Sequence, residues 1–95
     1  MPRLEWDKRK NLANHKKHGV RFEEAAEVFS DEYARIIPDP EHSDEEDRFI
    51  LLGMSARLRI LGVCHCYRAD DAIIRIVSAR KANKKEAREY GRYLP

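Results

Sequence analysis

The spacing of apolar positions changes several times along the chain, and each change marks an element. Leu4 and Trp6 alternate with charged residues and predict a short first strand. From Asp7 to about His18 the chain is almost wholly polar, with Leu12 and Ala13 its only apolar residues. Asp7 suits an N-cap because its carboxylate can accept free first-turn amides, and Gly19 falls where a left-handed C-terminal cap belongs. The pattern therefore predicts a helix that one narrow edge docks and that tertiary contacts must stabilise. Phe22, Ala25, Ala26 and Phe29 stand at i, i+3, i+4 and i+7, the signature of a second helix with a clear apolar face. Arg21 occupies its cap position and caps poorly, so its first turn is expected to fray.

Beyond Tyr33 the period shortens. Ala34-Arg35-Ile36-Ile37-Pro38 reads as a brief strand ended by Pro38, followed by an acidic loop from Asp39 to Asp47. Apolar runs then span Arg48 to Ser55, Leu58 to Tyr67 and Ala72 to Ser78, with breaks at 56–57 and 68–71 short enough for hairpins. Asn83-Lys84-Lys85-Glu86 is a capping-box pattern opening a last helix with Ala87, Tyr90 and Leu94 on one face. The order β-α-α-β-β-β-β-α predicts an α+β class. Its antiparallel sheet has about four strands, with two N-terminal helices and one C-terminal helix on one side or end.

Composition bounds what such a chain does. Ninety-five residues are read as one domain, 1–95, with a modest core, since a chain this short buries roughly 60–68% of its unfolded surface. No apolar stretch approaches the ~18 residues of a membrane span, and the N-terminus lacks a signal-peptide apolar region, so a cytoplasmic location without membrane attachment is expected. The net charge of +2 conceals three blocks. Residues 1–21 carry seven Lys/Arg against two Asp/Glu, residues 22–47 one against eleven, and residues 48–95 eleven against four. Two basic blocks around an acidic one suit an anionic ligand on one face and a basic partner, or solvent, on another.

Chemistry-bearing residues fall in a few groups. Cys64-His65-Cys66 invites a metal reading, but on a strand the cysteines share one face and His65 takes the other. Three adjacent positions also cannot close a four-ligand zinc site, so no metal or cofactor is expected and the thiols read as structural. Lys16, Lys17 and His18 end the basic helix; a histidine suits proton transfer near neutral pH and the lysines suit phosphate. Taken alone, that segment reads better as a surface histidine beside ordinary solvated lysines. Glu46 and Arg48 stand at i and i+2 where a strand begins, as a shared substrate site or a rim charge pair worth about 0–1 kcal/mol. Ser78-Ala79-Arg80-Lys81 lies where the last strand exits; Arg80 offers a planar fork for phosphate and Lys81 adds charge. Arg68 lies in the loop that begins a hairpin. No zinc signature, phosphate-cradling glycine loop or nucleophile elbow is present, which excludes several common enzyme classes.

In order along the chain come Trp6-Asp7, Asn14, Lys17-His18-Gly19-Val20 and Phe22-Glu23-Glu24-Ala25. Glu46, Arg48, Gly53, Arg68, Arg75-Ile76-Val77-Ser78-Ala79-Arg80-Lys81-Ala82, Glu86, Arg88 and Tyr90 follow. This series resembles BrnT-type toxins over nearly the whole chain, departing from the family pattern at Arg21, Cys66-Tyr67 and Asn83. The resemblance implies a compact RelE/ParE-like fold and an endoribonuclease that inhibits translation. It also implies neutralisation by a ribbon-helix-helix antitoxin in a heterotetramer with two toxin chains, the complex binding operator DNA through the antitoxin. On that reading, cleavage is metal-independent acid/base chemistry. His18 is the general acid or base, Glu46 a second proton acceptor and Arg48 with Arg80 the phosphate clamp, while Lys16, Lys17, Arg68 and Lys81 track the RNA backbone. Two other readings fit the same residues: a non-catalytic basic module that binds nucleic acid or a partner, and a toxin of the same fold acting on DNA gyrase.

Overall fold

Strand pairing organises the chain around a single sheet. The computed structural model describes residues 3–39, 48–92 and 94–95. Its elements are β1 (Arg3–Glu5), α1 (Lys8–His18), α2 (Phe22–Glu27) running into a 3-10 turn (Val28–Ser30), β2 (Arg35–Pro38), β3 (Arg48–Met54), β4 (Ile60–Arg68), β5 (Ile73–Lys81) and α3 (Lys84–Gly91). The sheet order is β1-β5-β4-β3-β2. β2 through β5 form the antiparallel meander that the apolar runs predict. Two features differ from the expectation. The sheet is mixed and has five strands, because β1 joins the outer edge of β5 in parallel; three residues are too few for alternation to reveal a partner. The last strand also continues through Ser78–Lys81 instead of leaving the sheet there, and Arg68 is the final residue of β4, not a loop residue.

Alternation sorts the strand residues onto two faces. Leu51, Leu61, Val63, Ile76 and Ala79 point to one face, where Val20, Phe22, Ala25 and Val28 cover them to make the main core. Gly53 lies on that face because nothing larger fits: a Cβ would meet Val28 Cγ1 at 2.6 Å and Ala34 Cβ at 3.0 Å. Helix α3 crosses the opposite face beside β3, where Ile50 and Leu52 are buried. The helices therefore sit on both faces of the sheet, a correction to their expected gathering on one side or end. Among the described residues no helix is long and apolar enough to cross a membrane.

The polar first helix docks through asparagine. Asp7 caps it by accepting from Lys10 N at 3.0 Å, and Gly19 closes it at φ 71°. Leu12 stays exposed, whereas Asn14 is buried against the unpaired edge of β5. Its side-chain amide accepts from Ala79 N at 3.0 Å and donates to Ala79 O at 2.8 Å and Val20 O at 2.9 Å. One side chain thus supplies what a neighbouring strand's peptide would give. Asn11 solves the problem posed by Arg21: its Oδ1 accepts from Phe22 N at 2.8 Å, capping α2 from a neighbouring helix.

A cationic sheet face as candidate active site

The residues best suited to bind an anion project from the face opposite the main core. Register places Cys66 between Arg48 of β3 and Arg75 of β5, and Cys64 between Ile50 and Ser78. Gly62 pairs with Arg80. A bulge makes this convergence possible. In β4–β5 the register shifts at Cys64/His65, leaving Val77 as an extra residue in β5. Strict alternation would put Arg75 on the face opposite Ser78 and Arg80; one inserted residue brings all three together. Three guanidinium groups and a hydroxyl thereby share one strand surface.

Neighbours hold Arg80 and Arg75 in place. Arg80 lies across Gly62, where a Cβ would come within 3.3 Å of Nη1. Its Nη1 and Nη2 donate to the two carboxylate oxygens of Glu86 at 2.6 and 3.0 Å. Glu86 is fixed in turn by the capping box, accepting from Asn83 N at 3.0 Å while Asn83 Oδ1 accepts from Glu86 N at 2.8 Å. The Arg80 guanidinium holds the Glu86 carboxyl below the usual carboxylate range. Arg75 Nη1 donates to Glu5 Oε1 at 3.0 Å, so the short parallel strand anchors an arginine of the site. Asp39 is buried beneath this face, with Cys64 Sγ donating to its Oδ2 at 3.5 Å. Burial, with Asp39 close by, pushes the Cys64 thiol up to about 11, so it stays protonated and structural, as the strand geometry implied.

His65 faces the other way, as alternation predicts. It is fully buried, edge-on to Phe29 and Tyr67 with centroids 5.1 and 5.4 Å apart. Nδ1 donates to Val63 O at 3.0 Å, and Nε2 has no hydrogen-bond partner among the described residues. Burial lowers its proton affinity below that of an ordinary histidine. It belongs to the core.

Among the described residues, the sequence-predicted site residues divide into three sets. Arg48 and Arg80 do share the cationic face. Lys16, Lys17 and His18 end α1 on the side of the main core, and His18 makes no hydrogen bond to either arginine. It stands one turn beyond Asn14, whose amide grips Ala79, the residue before Arg80; the basic helix end therefore borders the β5 edge. Arg68 and Lys81 are exposed at the ends of β4 and β5. Glu46 lies outside the described residues. Sequence reasoning flagged the Ser78–Lys81 segment but missed Arg75 and Asp39 as members of the face, because bulge-induced parity and the reach of β2 leave no mark in apolar spacing.

A family model for the ribonuclease toxin BrnT of type II toxin–antitoxin systems matches residues 6–86. The chain belongs to the BrnT family. Its fold is that of the Brucella abortus ribonuclease toxin BrnT, known from a 1.1 Å crystal structure. That structure superposes with a TM-score of 0.67 over 88% of this chain and 100% of its own, at 23% identity. No curated protein sequence matches the chain. Membership makes the protein a ribonuclease toxin with RNA as substrate and an antitoxin protein as partner.

Proposed function

We propose that this BrnT-family toxin is an endoribonuclease that cleaves RNA on the cationic sheet face by metal-independent acid/base chemistry and so inhibits translation. The observation that carries the reading is the bulge-aligned set of Arg48, Arg75, Ser78 and Arg80. Breaking an RNA strand through its own 2′-hydroxyl requires a proton acceptor, neutralisation of charge on the phosphate and a proton for the departing 5′-oxygen. Arg48 and Arg80 clamp the phosphate, with Arg80 oriented by Glu86. A charge stabiliser held in position costs no reorganisation during reaction and contributes roughly 2.7–4 kcal/mol. His18, at the β5 edge, moves the proton, with Glu46 as second acceptor. Lys16, Lys17, Arg68 and Lys81 track the backbone on either side. A ribbon-helix-helix antitoxin neutralises the toxin in a heterotetramer of two toxin chains with an antitoxin dimer, and the complex binds operator DNA.

The test is cleavage of RNA by purified protein in excess chelator. Cleavage persists in the wild type and is lost in both His18→Ala and Arg80→Ala, which also relieve growth arrest while remaining folded. If both variants stay toxic, the site is misassigned. If chelation abolishes cleavage, the metal-independent mechanism falls. Growth arrest with intact RNA and inhibited gyrase supercoiling would move the target to DNA topology.

A further inference from the structure

Away from the cationic face, the 3-10 turn, β2 and the end of α3 border two hollows lined by Glu27, Asp31 and Glu32 against one cation, Arg35. Of the five Asp/Glu between Phe22 and Ala34, Glu23 and Glu24 are held elsewhere by Asn11 and Arg59, and Glu27, Asp31 and Glu32 line these hollows. Within this acidic zone the large apolar side chains are uncovered: Tyr33, Ile36 and Leu94 are 37%, 53% and 41% exposed. Tyr33 joins two adjoining hollows. One of about 390 Å³ runs along Glu32 to Ile36, and one of about 590 Å³ lies between Glu27, Asp31, Met54 and Leu94. β2 is also the edge strand of the sheet, paired with β3 among the described residues.

The floor of this groove is fixed in advance. Asp31 Oδ2 accepts from Tyr90 OH at 2.6 Å and from Met54 N at 2.8 Å, while Oδ1 accepts from Tyr33 N at 3.0 Å. One carboxylate therefore ties α3, β3 and the Tyr33 turn together. A preformed groove avoids the ordering cost of building one on binding. Open edge strands and contiguous apolar patches are usually covered in working proteins.

We infer that this groove is the docking surface for the antitoxin, occupied by a cationic segment of that partner with apolar anchors against Tyr33, Ile36 and Leu94. The inference rests on the toxin reading and goes beyond it by assigning the partner a surface separate from the cationic face. The balance of charge favours the occupant: Glu27, Asp31 and Glu32 outnumber Arg35 in the lining, which disfavours RNA and attracts Lys and Arg. Apolar contact at the centre with charge at the rim is the common anatomy of a protein interface.

Calorimetric titration with the antitoxin encoded in the adjacent reading frame tests this, alongside RNA cleavage by the same toxin preparations. Ile36→Arg and Leu94→Arg each weaken binding at least tenfold, and Glu27→Lys with Glu32→Lys weakens it further and flattens its salt dependence. All these variants still cleave RNA at the wild-type rate, and none is then neutralised by antitoxin at the wild-type ratio. Wild-type affinity in all of them, with unchanged circular dichroism, overturns the assignment. So does loss of binding confined to Arg48→Ala or Arg75→Ala. A wild-type chain that binds antitoxin yet never cleaves RNA would instead fail the ribonuclease reading and leave the docking surface standing.

Discussion

The two faces of the sheet are built from alternate residues of the same strands, yet they do opposite things. On one face Leu61, Val63, Ile76 and Ala79 are sealed beneath Val20, α2 and the 3-10 turn, and even the histidine there, His65, is held neutral. On the other, Arg48, Arg75 and Arg80 stand with Ser78 around two thiols, each arginine on its own strand position. The core face stabilises by excluding water; the cationic face keeps charge at the surface by pairing it with Glu5 and Glu86. The difference teaches that a single bulge can gather a strand's polar residues on one surface without disturbing the face beneath.

Substitutions separate the faces by what each one costs. The largest effect is expected from Arg80→Ala, which should lower RNA cleavage about 10²–10³-fold with little change in melting temperature. Arg80→Lys should not recover it, since an ammonium cannot take both oxygens of Glu86. Enzyme kinetics beside thermal melts check this; comparable losses of activity and stability would erase the distinction. Gly53→Ala tests the other face. Its Cβ would press on Val28, so stability should fall by about 1–3 kcal/mol while the folded fraction keeps its cleavage rate.

The seam between the faces should respond in both readouts. Asn14→Ala strands Ala79 N and O and the Val20 carbonyl, costing about 1–3 kcal/mol by denaturant titration. It should also reduce cleavage, because the basic helix end loses its hold beside Arg80. Unchanged cleavage at full folding would detach His18 from the site.

The smallest effect concerns pH. His65 has a proton affinity lowered in the fold, so the unfolded chain takes up a proton first as pH falls. Stability is therefore fully present above the ordinary histidine value of about 6.5 and declines as pH drops from there toward the lowered folded value. Glu24, Asp31 and Glu86, all held below the usual carboxylate range, add their own losses only at lower pH. His65→Phe, which keeps a ring among Phe29, Phe49 and Tyr67, should flatten the decline just below pH 6.5. An unaltered slope in that interval would mean that His65 is not its source.

Apolar spacing made most of the fold legible. The element order, the meander, the Asp7 and Gly19 caps and the Asn83 capping box all follow from local chemistry that the sequence displays. What stayed hidden depends on distant partners. Asn11 and Asn14 read as ordinary helix-surface residues, yet one caps α2 and the other replaces a missing strand. The parallel placement of β1 and the Val77 bulge are invisible to periodicity, and with them the membership of Arg75 in the site. Of the candidate residues, Arg48 and Arg80 were legible because the family pattern marks them; their grouping on one face was not.

The claim that RNA is held on the cationic face can be tested by titrating the labelled protein with a short RNA carrying a 2′-deoxy substitution at the scissile position. Amide shifts should move at Arg48, Cys66, Arg75, Ser78 and Arg80 and extend around the β5 edge to Lys16–His18, with the Phe22–Ala34 segment still. Shifts concentrated at Tyr33 and Ile36, with the arginine face unmoved, would contradict the account.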